Sequence, residues 1–154
     1  MQKAFSAPDA NFEIDLENSL FTFAWKGTVS EKSVKRILTL ASNASSDMKS
    51  CHWLIDRREL DGYSPEARIW IKNNFMKATG TDLISKTDKI AAINSESAMA
   101  QVSSNVLIDA LQKLNPKIGY KEFDMPAPAI NWLSGKSDPL PEVKKKRGLF
   151  GRKK

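Results

Sequence analysis

A mixed α/β domain is the fold class this sequence predicts, and two observations carry it. Apolar strand-like runs recur three times, each trailed by a stretch of helical period: Cys51 to Asp56 before Ser64 to Ala78, Lys89 to Asn94 before Ala98 to Leu114, and Ile118 to Phe123 before Ala127 to Leu133. A pair of alternating runs with turn chemistry between them precedes all three. Together they predict an N-terminal β-hairpin followed by alternating helix and strand, a mixed five-stranded sheet with helices packed on it.

The hairpin comes first. Phe12, Ile14 and Leu16 alternate with Glu13, Asp15 and Glu17, the period of a strand with one wet face. Asn18-Ser19 supplies a turn, and Leu20 to Lys26 resumes with Phe21, Phe23 and Trp25 on one side. Ser30 stands as the N-cap of a helix whose buried face is Val34, Ile37, Leu38 and Ala41, ending within 43–47. The strand Cys51 to Asp56 is expected to give way to a loop over Arg57 to Tyr63, with Asp61-Gly62 as its turn. Ser64-Pro65-Glu66 is the strongest helix start in the chain: a capping hydroxyl, a proline at the first helical position and an acid near the positive end of the dipole. Ala67, Trp70, Ile71, Phe75 and Ala78 form its stripe, and Gly80 closes it. Ile90 to Ile93 is apolar on both faces, so this strand belongs at the centre. Met99, Val102, Val106, Ala110 and Leu114 mark the expected buried side of the next helix, which Asn115-Pro116 stops. Asp124 is the expected cap of the last, short helix.

At 154 residues the chain suits one domain and a short appendage. The composition changes after Gly135, which sets the domain at residues 1–136 and a flexible, proline-containing basic tail at 137–154. Seven of the 24 Lys and Arg lie between Lys144 and Lys154, so the rest of the chain is within one charge of neutral and the excess of +6 belongs to its end. One cysteine, Cys51, permits neither an internal disulfide nor a zinc cluster. With no signal-peptide pattern and no bilayer-length apolar run, a cytoplasmic protein is expected, peripheral to the membrane where the tail engages it.

Catalytic patterns are sparse. The single histidine, His52, neighbours Cys51, and alternation along a strand points the two to opposite faces, so they make a poor dyad. No glycine-rich phosphate loop is present and no cofactor is implied. Asp56, Glu59 and Asp61 gather after a strand end, which allows a metal-dependent enzyme as an alternative; Arg57 and Arg58 beside them more simply give surface ion pairs. Ser64 is a helix cap or, alternatively, a phosphorylation site facing Arg57, Arg58 or Arg68. Trp25, Trp53, Trp70 and Trp132 sit in apolar periodic stretches and are core candidates before they are stacking platforms, as are Met76 and Met99.

The order of elements resembles the SpoIIAA-like proteins of the STAS superfamily over Phe12 to Leu133. The residues that carry it are Trp53-Leu54-Ile55-Asp56, Asp61-Gly62-Tyr63-Ser64-Pro65, Lys89-Ile90-Ala91-Ala92-Ile93, and Phe123 through Ala129 to Trp132-Leu133. The resemblance implies a non-enzymatic signalling or ligand-binding domain that acts through partner contacts, here around residues 56–68 with Asp56, Arg57, Arg58, Asp61, Ser64 and Arg68. The switch serine of some members lies in an Asp-Ser-Ser-Gly motif; this chain has Asp61-Gly62-Tyr63-Ser64 at that place. The fold is also similar to lipid-carrying CRAL-TRIO domains, which implies a small apolar ligand or lipid as an alternative occupant.

In the tail, Lys144, Lys145, Lys146 and Arg147 are separated from Arg152, Lys153 and Lys154 by a segment holding Leu149 and Phe150. Each cation near an anionic leaflet contributes on the order of 1 kcal/mol, and the two apolar side chains add roughly 1.5–3 kcal/mol each when fully buried. Reversible attachment to an anionic membrane or an acidic partner is physically sufficient; a disordered end that serves only solubility is the alternative that ranks ahead of it. Specific nucleic-acid readout is not expected, because one aromatic residue and a neutral body supply little beyond phosphate attraction.

Overall fold

The computed structural model describes residues 2–135, so the 136/137 boundary and the basic tail lie outside the described residues. The elements are β1 (Gln2–Ala7), β2 (Ala10–Asp15), β3 (Leu20–Val29), α1 (Glu31–Ser45), β4 (Cys51–Tyr63), α2 (Pro65–Trp70), a π-helical segment (Ile71–Thr79), α3 (Thr81–Lys86), β5 (Thr87–Ile93), α4 (Ala98–Leu114), β6 (Gly119–Phe123) and α5 (Pro126–Leu133). The six strands form one sheet whose spatial order is the chain order. β1, β2 and β3 run antiparallel, while β3 to β6 are parallel.

Alternation along β3 and β4 divides two cores. Phe21, Phe23 and Trp25 of β3, with Trp53 and Ile55 of β4, face α1, α2, the π segment, α3 and α4. Leu20 and Leu54 face the other way and join Ala91, Ile93 and Phe123 beneath α5. Phe23 is the hub of the larger core, with ring centroids 5.0 Å from Phe12 and 5.2 Å from Trp53. Cys51 and His52 point to opposite faces as their alternation predicts: Cys51 is buried beside Thr87, and His52 is half-buried on the α5 side.

α1 follows its sequence closely. The Ser30 hydroxyl accepts from the Ser33 amide at 3.2 Å, and Asp9 adds a second anchor, accepting from the Ser30 amide at 2.9 Å and the Ser33 hydroxyl at 2.6 Å. Ser64 caps α2 by accepting from the Ala67 amide at 3.1 Å, with Pro65 opening the helix.

The structure departs from sequence expectation in several places. The sheet has six strands, not five, because Gln2–Ala7 pairs with β2 as an edge strand. Its only large apolar residue is Phe5, so it carries little alternation to read. β4 does not end at Asp56 in a loop; it continues to Tyr63, opposite Val29. Two irregularities disguise it: Trp25 stands opposite both Arg57 and Arg58, and Asp61 is an extra residue between the Gly27↔Leu60 and Thr28↔Gly62 pairs. Each such bulge breaks the two-residue period on which strand recognition depends. Asp61-Gly62 is therefore part of a strand, not a turn. The helix expected over 64–78 becomes α2 and then a π-helical segment, and Gly80 leads straight into α3 instead of ending the layer. A Cβ at Gly80 would overlap the Phe75 ring, so glycine is required there by close approach.

α4 is rotated relative to expectation. Ala100, Ser104, Leu107, Ile108 and Leu111 face the sheet, whereas Met99, Val102, Val106 and Leu114 are exposed. Asp124 does not cap α5; Met125 occupies that position without a side-chain bond, and the Asp124 carboxylate accepts from Asn94 Nδ2 at 2.8 Å.

Candidate functional site

The residues chosen from sequence do not converge. Asp56 lies on the sheet face opposite Ile55, bound to Arg58 through Nε at 3.0 Å and Nη2 at 2.8 Å. That contact outweighs the burial that would raise the Asp56 pKa and holds the carboxyl below its ordinary value. Arg68 projects from α2, on the other side of the sheet, and Asp61 is exposed on the second bulge. Among the described residues no group of three His, Cys, Asp or Glu could hold a metal ion, so Asp56, Glu59 and Asp61 are not assembled into a metal centre.

Arg57 is not a surface residue. Its side chain is fully buried, the largest such side chain among the described residues. Nε donates to the Ile93 carbonyl at 3.1 Å; Nη1 donates to Asn105 Oδ1 at 2.7 Å and Ser104 Oγ at 3.3 Å; Nη2 donates to Asn94 Oδ1 at 3.5 Å and Glu122 Oε2 at 3.4 Å. A guanidinium has five N–H donors, and here each has an acceptor. Arg57 is thus a staple joining β4, β5, β6 and α4, with no donor left for a ligand. Tyr120 donates to Glu122 at 2.8 Å, and Gln101 Nε2 donates to the same carboxylate at 3.2 Å. Burial pushes the Glu122 pKa up, but the Tyr120 hydroxyl and Arg57 outweigh it and keep the group below its ordinary value. Burial also pushes the Tyr63 phenol up, to about 12, so it stays neutral in the core.

These placements bear on Ser64. Its oxygen is engaged with the Ala67 amide, Arg57 is turned into the interior and Arg58 is held by Asp56. Of the three arginines considered for a phosphate there, Arg68 alone is exposed and outside any ion pair among the described residues.

Arg68 leads to the feature that sequence reading missed. A cleft of about 480 Å³ runs between α2 with the start of the π segment on one side and α4 on the other. Met99, Val102, Val106 and Leu107 form its apolar side, and Arg68 and Lys72 stand opposite. Met99 is 83% exposed, Val102 64% and Val106 51%, whereas the apolar rows of α1 and of the inner side of α4 are buried. The signal was present in the sequence: 98–114 is apolar on two rows, and a helix lying on a sheet buries only one. Nothing in the period itself says which.

Beneath the cleft, sharing Leu107 with it, is an apolar cavity of about 50 Å³ walled by Phe23, Trp25, Trp53, Phe75 and Ile108. The Trp53 indole N–H is buried without a hydrogen-bond partner. An apolar cavity that takes up benzene measures about 150 Å³, so this one is too small for an acyl chain unless α4 moves outward. No helix among the described residues is long and apolar enough to cross a membrane.

With sheet order, helix layer and cleft in view, comparison with solved structures places the architecture. The chain is similar to an uncharacterized protein of the DUF3478 family with a SpoIIAA-like fold from Shewanella loihica PV-4, at 20% identity and a TM-score of 0.57 over 84% of this chain and 99% of the other. The chain has a SpoIIAA-like fold. No family model matches the sequence, and no curated protein does.

Proposed function

We propose that this chain is a non-enzymatic binding domain of the STAS type that docks a protein partner on the face between α2 and α4. The observation that supports it is the exposed apolar row Met99, Val102 and Val106, set in a cleft rather than scattered over the surface. Contiguous apolar surface rimmed by polar residues is the usual mark of an interaction site. The site lies at the α2 end of the 56–68 region, with Arg68 as its shared residue, and the enzyme alternative gains no metal centre from the geometry. In this reading the basic segment Lys144–Lys154 assists by drawing the domain toward anionic surfaces, where its seven cations act together.

The test is a photo-crosslinking side chain placed at Val102 in the full chain in its native cell, with a second placed at Lys35 on α1. Adducts with another protein are expected from position 102, not from position 35, and are expected to vanish when Val106→Asp is added. Equal adducts from both positions, or none from 102, would remove the reading.

A further inference from the structure

We infer that the occupant of the α2–α4 cleft is an amphipathic helix of another protein, one that lays an apolar row on α4 and carries carboxylates along the flank that meets α2. This rests on the partner-binding reading and narrows it to a partner chemistry. The first argument is spacing. Met99, Val102 and Val106 stand at i, i+3 and i+7, the positions that share one side of a helix and form the seam where two helices pack. Past the cleft the same spacing reaches Asp109 and Lys113, with half-buried Ala110 and exposed Leu114 beside them. At about 1.5 Å per residue the part of the row that lines the cleft, Met99 to Val106, is roughly 10 Å long, about two turns of a partner helix.

The second argument is charge. Arg68 and Lys72, four residues apart on the opposite wall, are both exposed, and neither belongs to an ion pair among the described residues. No acidic residue lines the cleft. Within α4 the only charged side chains are Asp109 and Lys113, both beyond the cleft, so the apolar wall brings no charge of its own. An occupant therefore meets two unneutralised cations on one side and hydrocarbon on the other. A helix with a leucine-type row and glutamates beside it satisfies both at once.

The same arrangement weighs against the other occupants. In a symmetric pair of identical chains the same patch serves both sides, so each copy would bring Arg68 and Lys72 to the interface and no carboxylate lining the cleft to meet them. An anionic membrane offers the right charge, but a lipid surface is flat on this scale and leaves a cleft between two helices unfilled.

The test uses the full chain with its methionine methyl groups isotopically labelled, so that Met99 reports on the cleft by nuclear magnetic resonance. Two helical peptides of about 20 residues, long enough to hold helical structure, share one leucine row; one is flanked by glutamates and the other by lysines. The Met99 signal is expected to shift saturably with the glutamate peptide, at about tenfold higher affinity than with the lysine peptide, the size expected of two exposed ion pairs replaced by two repulsions. Arg68→Glu with Lys72→Glu is expected to reverse that order, and Val102→Asp to abolish both interactions. Equal affinities for the two peptides would overturn the charge argument and with it the inference. So would a Met99 response to phosphatidylglycerol vesicles in place of the peptides, or a dimer of the chain that Val102→Asp disperses. Should neither peptide bind, the inference falls, and adducts from position 102 then decide separately whether the partner-binding reading stands.

Discussion

α1 and α4 lie on the same face of the same sheet, yet they spend their apolar residues differently. α1 has one apolar row, Val34, Ile37, Leu38 and Ala41, all buried, and its opposite face carries Glu31, Lys32, Lys35 and Arg36. α4 has an inner row that serves the core as well as the α1 row does, and an outer row of Met99, Val102 and Val106 that the fold leaves bare. Folding accounts for every apolar side chain on the α1 row and for fewer than half of those on α4. That surplus is the observation on which the proposed docking face rests.

The contrast breaks hardest where α4 is pinned from below. Arg57→Met removes a buried cation with all of its donated hydrogen bonds, while Glu122 keeps Tyr120 and Gln101 as donors; at about 1 kcal/mol for each bond lost, about 3–5 kcal/mol is expected in urea unfolding. Next come the inner rows themselves. Ile37→Ala on α1 and Ile108→Ala on α4 are each expected to cost about 2–5 kcal/mol, since both side chains are fully or almost fully buried. Equal costs would confirm that the two helices contribute alike to the core.

The helix starts sharpen the comparison at smaller scale. Ser30→Ala and Ser97→Ala remove capping hydroxyls worth about 1 kcal/mol each. α1 alone has a second, titratable anchor. Burial raises the Asp9 pKa, but the Ser33 hydroxyl and the Ser30 amide outweigh it, so the folded value lies below that of the unfolded chain. Its contribution is therefore complete above the unfolded value, near 3.8, and is lost as pH falls through the lower folded value. Amide exchange in the first turn of α1 is expected to accelerate below about pH 4, relative to the first turn of α4. Asp9→Asn is expected to flatten that dependence. The smallest effect belongs to the outer row: Val102→Ser is expected to change stability by no more than about 0.5 kcal/mol. A cost well above 1 kcal/mol would mean that the outer row belongs to the fold.

The elements that were legible in the sequence are those where one local rule acts without competition. Ser30, Ser64 and Pro65 announced their helices because a cap needs only its own neighbours, and Ile90 to Ile93 announced a central strand because both its faces are apolar. β4 beyond Asp56 was hidden by its two inserted residues, and β1 by having Phe5 as its only large apolar side chain. Arg57 reads as a surface charge by residue type, and its five acceptors come from β5 and the residue after it, β6 and α4, between 36 and 65 residues along the chain. Only Arg68 of the cleft was chosen from sequence. Val102 and Val106 read as core because hydropathy names a row without saying which way the helix turns it.

The order of strands across the sheet has a consequence for how the protein comes into being. Every strand pairs with its predecessor in the chain, from Gln2 to Phe123. A ribosome releasing this chain therefore delivers each new strand to an edge that is already in place, and each parallel crossover closes only the helical connection just made. The nascent sheet grows from one border to the other, and no finished pair has to part to admit a latecomer.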